Sequence, residues 1–223
     1  MQTENKGPAS KKKRLLLGGC LVAIVLAVIC AVALAVAVRK AVRDVKEVTD
    51  TEPATLPVTE VTPREARRIG QRVRRFEQAL RRGQSERLTL TDKELNALVA
   101  ADTRLEELRG RVHFRIEDGA LQADLAIPMD TVPALKGRYL NATVTLDVST
   151  EQGRLVVRPE KMTVGGDPLP AALARRFENV NLADRLRQDE TAAELLRRIR
   201  AVRVTVNRLV VTGGDEADTD RNP

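Results

Sequence analysis

The 223 residues include no tryptophan, one tyrosine and three phenylalanines. Bases and sugars are commonly held by stacking on aromatic faces, so with only Phe76, Phe114, Tyr139 and Phe177 such platforms are not expected and an apolar ligand would have to meet aliphatic side chains. Histidine occurs once, at His113, on the polar side of an alternating segment, where it reads as a surface or groove-edge residue. Beyond residue 40 serine occurs only at Ser85 and Ser149, and neither stands in a nucleophile-elbow context. Ser/His/Asp and Cys/His mechanisms therefore lack their parts. Both cysteines, Cys20 and Cys30, fall inside one apolar run, which leaves the rest of the chain without a disulfide, a thiol nucleophile or a cysteine metal site. A domain facing an oxidising compartment fits that pattern, and so does a cytosolic one. Phosphate-loop and dinucleotide glycine patterns are missing too, and Gly165-Gly166 reads as a turn.

The net charge of +7 invites a nucleic-acid reading until it is divided. Residues 1–40 hold seven Lys or Arg and one acid, a net +6, whereas residues 41–223 hold thirty-one bases against thirty acids, a net +1. The larger part is nearly neutral and lacks the basic field that nucleic acid requires.

What is present is an uninterrupted apolar stretch from Leu15 to Val38, twenty-four residues without a charge, an amide or a proline. As a helix it would reach roughly 36 Å against a hydrocarbon core of about 30 Å. Its six Leu, six Val and two Ile favour insertion by about 4 to 8 kcal/mol, unopposed by a buried charge. A single transmembrane helix is the expectation. A cleaved signal peptide would have a shorter apolar region, although Ala33-Leu34-Ala35 resembles a cleavage site. Leu17-Gly18-Gly19-Cys20 resembles a lipoprotein box with its apolar residues on the wrong side, and a core helix would show a polar face. Lys11-Lys12-Lys13-Arg14 abuts the start, so the positive-inside bias places the N-terminus in the cytoplasm and the C-terminal domain outside the cell (inner or plasma) membrane.

The chain then divides into a basic cytoplasmic tail (1–14), the membrane helix (15–38), a linker (39–61), one extracytoplasmic α+β domain (62–212) and a disordered acidic tail (213–223). Within the linker the apolar spacing of Ala41–Val48 would let the membrane helix protrude by two turns, and from Thr49 the composition turns to Thr, Glu and Pro and reads as extended. Thr62-Pro63-Arg64-Glu65 combines a capping box with proline at the first helical position, and Ile69, Val73, Phe76 and Leu80 give that helix one apolar stripe. Its remainder carries eight arginines between Arg64 and Arg82 against Glu65 and Glu77, either a solvated outer face or a basic face held against anionic lipid head groups through Arg68, Arg72 and Arg75. Thr91-Asp92-Lys93-Glu94 is a second capping box, with Leu90 and Leu95 placed as a hydrophobic staple. From Val112 the apolar period drops to two. Strands are expected through Val112–Ile116, Leu121–Ile127, Leu140–Val148 and Leu155–Val164, with hairpin turns at Asp118-Gly119 and near Gly153. Helices follow from Leu169 to Phe177 and from Leu182 to Ile199, and the apolar positions from Val202 to Val211 predict a last strand or tight hairpin. The expected fold is an antiparallel sheet of about four to six strands packed on helices.

Chemistry is thinly supplied. Asp124, Asp130, Asp147 and Asp167 are the carboxylates that could converge, yet thirty acids among as many bases describe a solvated surface better than an active site. Asn141-Ala142-Thr143 matches a glycosylation sequon in mid-strand. No enzyme, cofactor or metal is expected.

In the order of its elements the chain resembles a group of bacterial single-pass envelope proteins, the YpmS-like and LmeA-like families. The resemblance rests on Leu88-Thr89-Leu90-Thr91 through Glu94-Leu95-Asn96, the strand start at Leu140-Asn141, Val164-Gly165-Gly166-Asp167-Pro168-Leu169-Pro170 and the closing strand after Ile199, and it covers about residues 62–212. It implies a curved sheet around a helix with an apolar groove, similar to tubular lipid-binding domains, and a role in envelope upkeep. Leu121, Leu125, Leu140, Val144, Leu146, Leu155 and Leu173 are the candidates to line such a groove, or else they form an ordinary closed core. The expected function is a non-enzymatic, membrane-anchored protein that binds a lipid or lipid-linked envelope molecule. The rival is a scaffolding module that binds a protein partner at the membrane.

Overall fold

The computed structural model describes residues 48–214 apart from 176, 178, 179 and 189. The basic tail, the apolar run at 15–38 and the acid-rich residues from 215 onward lie outside the described residues. Among the described residues no helix is long and apolar enough to cross a membrane.

Helix α1 spans Pro63–Arg81, strand β1 Glu86–Leu90 and helix α2 Asp92–Ala101. Both helices start where their capping boxes predict, at Thr62 and Thr91. A 3-10 turn over Thr103–Leu108 leads into β2 (Val112–Glu117), β3 (Ala120–Pro128), β4 (Tyr139–Glu151), β5 (Arg154–Val164) and the two-residue β6 (Asp167–Pro168). After a single-turn helix α3 (Ala171–Ala174) and a 3-10 segment (Leu182–Gln188) come α4 (Glu190–Arg197), β7 (Ile199–Thr205) and β8 (Arg208–Gly213).

The fold is α+β, with two antiparallel sheets rather than the one expected. One has the order β2-β3-β4-β5-β6; the other is β1-β8-β7. Four strands of the first were legible because their pairing is between neighbours in sequence; the two-residue β6, expected to break the sheet, pairs back onto β5. At Asp118-Gly119 both residues have positive φ (52° and 76°), as do Gln152-Gly153 (50° and 73°), and such turns match the right-handed twist of the flanking strands. The second sheet depends on pairing Glu86–Leu90 with Leu209–Gly213, strands more than a hundred residues apart, which no local pattern encodes. The β7 strand lies against β4 and β5, where the Val202 N–H donates to Thr150 Oγ1 at 2.9 Å. Between Thr145 and Leu146 the β4–β5 register shifts, because Pro159 on the facing strand has no N–H to continue the ladder.

Three further expectations change. The helix expected over Leu182–Ile199 is a 3-10 segment followed by the eight-residue α4, and Ile199 already belongs to β7. That expected from Leu169 to Phe177 shortens to α3. Gly213, expected in the tail, closes β8 opposite Glu86. A Cβ there would come within 2.5 Å of Leu80 Cδ2 and 2.8 Å of the Arg198 carbonyl, so glycine lets the end of α1 seat on the small sheet.

Candidate functional site

The seven aliphatic residues expected to line a groove form part of the continuous buried core instead. Leu121, Leu125, Leu140, Val144 and Leu146 are 0–2% exposed, Leu155 3% and Leu173 5%. The reason is register. Leu121 faces Leu146 across β3 and β4, Ala123 faces Val144 and Ile127 faces Leu140, so alternate residues of adjacent strands present one apolar face to the helices and the small sheet. The groove reading gives way to the closed-core reading for these residues; Leu125 alone also reaches the wall of a concavity.

That concavity, of about 390 Å³, lies between the polar face of the large sheet and residues 50–57. The segment expected to stand off as part of a linker runs along the domain as a strap. Asp50 pairs with Tyr139 through backbone hydrogen bonds of 2.8 Å in both directions. Arg138 Nε donates to Thr49 Oγ1 at 2.6 Å, and the Asn141 side chain accepts from the Ala54 N–H at 2.8 Å while donating to Asp50 Oδ2 and the Glu52 carbonyl at 2.7 and 2.9 Å. The sequon amide is thus fully engaged, and a glycan at Asn141 would have to displace the strap. Farther along, Leu56 to Thr59 cover a second hollow of about 240 Å³ bordered by Asn96, Val99 and His113.

The largest of the three, about 660 Å³, opens where the strap meets the starts of α1 and α2. Its walls include Val58, Val61, Ile69 and Ala97, with Glu60, Glu65, Glu94, Arg68, Arg72, Lys93 and Arg208 supplying the charge. Both capping boxes are complete and satisfy the helix ends. Thr62 Oγ1 accepts from the Glu65 N–H at 3.3 Å and Glu65 Oε2 accepts from the Thr62 N–H at 3.0 Å; Thr91 and Glu94 repeat the arrangement at 3.2 and 3.1 Å. The Thr62 hydroxyl and N–H, with Arg68 adding its charge, hold the Glu65 carboxyl below its ordinary range. Arg72 donates to the second capping glutamate, Glu94, and to the Thr89 carbonyl, so it ties α1 to β1 and α2. Of the three arginines expected to meet head groups, Arg72 is therefore half-buried and committed within the domain, whereas Arg68 and Arg75 are exposed. Arg68, Lys93 and Arg208 make no ion pair among the described residues. Arg208 enters from the β7–β8 hairpin, a contribution invisible in sequence because it depends on the β1–β8 pairing.

The candidate carboxylates do not assemble into one centre. Asp124 accepts from Arg115 Nε and Nη2 at 2.8 and 3.1 Å and from Thr143 Oγ1 at 2.7 Å; burial raises its pKa, but these donors outweigh that and leave it lowered. Asp130 Oδ1 accepts the Gly137 N–H at 2.9 Å and closes a loop, and Asp147 and Asp167 are exposed on other elements. His113 sits half-buried opposite Asp124 on β2. Among the described residues no group of three or more His, Cys, Asp or Glu side chains is placed to hold a metal ion. Compared with known proteins, the chain matches no family model, no curated protein and no solved structure.

Proposed function

We propose that this chain is a single-pass, membrane-anchored, non-enzymatic envelope protein, its N-terminus cytoplasmic and its domain outside, and that the domain binds a lipid or lipid-linked molecule. The observation that carries the reading is the cleft at the two helix starts. Arg68, Lys93 and Arg208 line it without ion pairs among the described residues, Val58, Val61 and Ile69 stand beside them, and with Glu94 paired to Arg72 the acids Glu60 and Glu65 leave the cleft a net +1. Cations over an aliphatic wall suit a phosphate-bearing head group joined to an apolar chain, since the phosphate gains charge-assisted hydrogen bonds while methylenes leave water. The apolar run at 15–38 supports the anchor on composition alone.

The full chain, purified in mild detergent beside an Arg68→Glu/Arg208→Glu variant, provides the test. Lipid carried by the membrane segment is common to both proteins, so lipid mass spectrometry isolates the contribution of the domain. The wild type should retain about one more phosphate-bearing lipid per chain than the variant; equal lipid content would remove the cleft from consideration. Protease protection of sealed vesicles tests sidedness.

A scaffolding module that binds an envelope protein is the second reading, favoured by the closed core, which leaves no interior groove among Leu121, Leu125 and Leu146 for an acyl chain. Crosslinking in intact membranes that recovers one protein, with no lipid difference in the experiment above, would select it.

A further inference from the structure

The charge of the folded part is concentrated in one place. Residues 48–214 hold twenty-eight bases against twenty-four acids, a net +4; residues 64–82 hold eight arginines and two glutamates, a net +6, so the remainder of residues 48–214 carries −2. Arg64, Arg67, Arg68, Arg74, Arg75 and Arg81 of α1 are all exposed. At 3.6 residues per turn they fall within an arc of about 140°. The buried Ile69, Val73, Phe76 and Leu80 occupy the opposite side, with the two stripes centred about 180° apart by the same periodicity. The other side chains on the outer arc of the helix include Gln71 and Gln78, and no acid interrupts it. Packing required only the apolar stripe. A solvated outer face would be served by mixed charge, and like charges one helical turn apart, such as Arg64 with Arg67 and Arg68, destabilise an isolated helix.

From this, and resting on the membrane-anchored reading above, we infer that the outer face of α1 is a docking surface for the anionic phospholipid surface of the bilayer that holds the chain, so that the domain lies on the membrane instead of swinging free. A second observation limits the leash. Because Thr49 and Asp50 are bonded to Arg138 and Tyr139, the tether is only residues 39–47 and not 39–61. Ten Cα–Cα steps from Val38 to Val48 reach at most about 35 Å. The nineteen-residue α1, about 28 Å long, lies along a domain kept that close to the lipid. Arginine is well matched to lipid phosphates, because its guanidinium is always charged and its planar fork fits their oxygens. Arg67, Arg74 and Arg75 lie outside the cleft lining, so replacing them probes the face without touching the cleft.

The full chain is reconstituted into vesicles of phosphatidylcholine alone or with phosphatidylglycerol added, carrying a fluorophore at Gln78→Cys in a Cys20→Ala/Cys30→Ala background and a quencher on the lipid head groups. Docking predicts strong quenching on the anionic vesicles only, loss of quenching as salt shortens the Debye length from about 8 Å to about 3 Å, and a docked-to-free ratio that falls about fivefold per arginine removed. Arg67→Gln/Arg74→Gln/Arg75→Gln, which removes three charges, should therefore lower it on the order of a hundredfold. Since the salt titration needs no variant, a misfolded triple mutant would not spare the idea. Equal quenching on both vesicle types, insensitivity to salt, or an acidic protein crosslinked at position 78 with no lipid quenching would each overturn it. Release of the chain by alkaline carbonate would defeat the anchor reading itself, whereas an undocked domain on a chain that resists extraction would defeat only this inference.

Discussion

Replacing Asn96 with leucine, a side chain of nearly the same size and no polarity, should be among the most damaging single changes in the domain. Asn96 is 5% exposed on α2. Its Nδ2 donates to the Phe114 carbonyl at 2.7 Å and its Oδ1 accepts from the Phe114 N–H at 2.8 Å. Because β2 is an edge strand, the Phe114 backbone groups have no neighbouring strand on that side, and one amide supplies both partners. Leucine would leave a buried donor and a buried acceptor unsatisfied at about 1 to 3 kcal/mol each, so a loss near 4 kcal/mol is expected. For a domain of this size that lowers the melting temperature by roughly 8 to 16 °C. Alanine opens room for water to serve the same groups and should cost less, about 2 kcal/mol. The assay is guanidinium unfolding of the full chain in detergent, followed by far-UV circular dichroism, with a lower midpoint and an unchanged slope expected. If the leucine variant falls within about 1 kcal/mol of wild type, the reasoning that one side chain serves as the missing strand is wrong.

Three other substitutions test a partly buried ion pair and the space around two glycines. Asp124→Asn should destabilise at neutral pH, where the lowered carboxyl is ionised against Arg115 and Thr143; because a depressed folded pKa contributes stability above the ordinary aspartate value of about 3.9 and loses it as pH falls through the folded value, the gap to wild type should close in acid. Unfolding midpoints across a pH series check this, and a gap independent of pH would contradict it. Gly70→Ala, whose new methyl would meet only the Arg74 side chain at 3.8 Å, should stabilise α1 by about 0.5 to 1 kcal/mol, whereas Gly213→Ala, pressed between Leu80 and the Arg198 carbonyl, should destabilise by about 1 to 3 kcal/mol. Melting temperatures that move the same way for both would show that contact at Gly213 is not what the glycine is for.

The arginine face gives the candidate lipid-binding role more weight than the aliphatic residues named to line a groove. Leu121, Leu146 and their neighbours are explained completely by core packing, since register brings them together across β3 and β4. No such account covers Arg67, Arg74 and Arg75, which are exposed and form no ion pair among the described residues. The strap matters for the same reason. By bonding residues 49–54 onto the end of the large sheet, it takes part of the expected spacer into the domain, and on the membrane-anchored reading this keeps the face and the cleft near the bilayer.

Local chemistry alone determined the helix starts at Thr62 and Thr91, the hairpins at Asp118-Gly119 and Gln152-Gly153 and the inward faces of four strands, because caps, turns and alternation act over a few residues. The apolar run was equally legible because it is continuous in the sequence, and the arginine stripe because it follows helical spacing. Tertiary structure decided the rest: that β1 closes on β8, that Arg208 reaches a cleft built by α1 and α2, that Arg72 is consumed by Glu94, and that Asn141 captures the strap. Each of these joins residues far apart in the chain, where the cost of closing the loop is recovered only once the whole core has formed, so no short window of sequence records them.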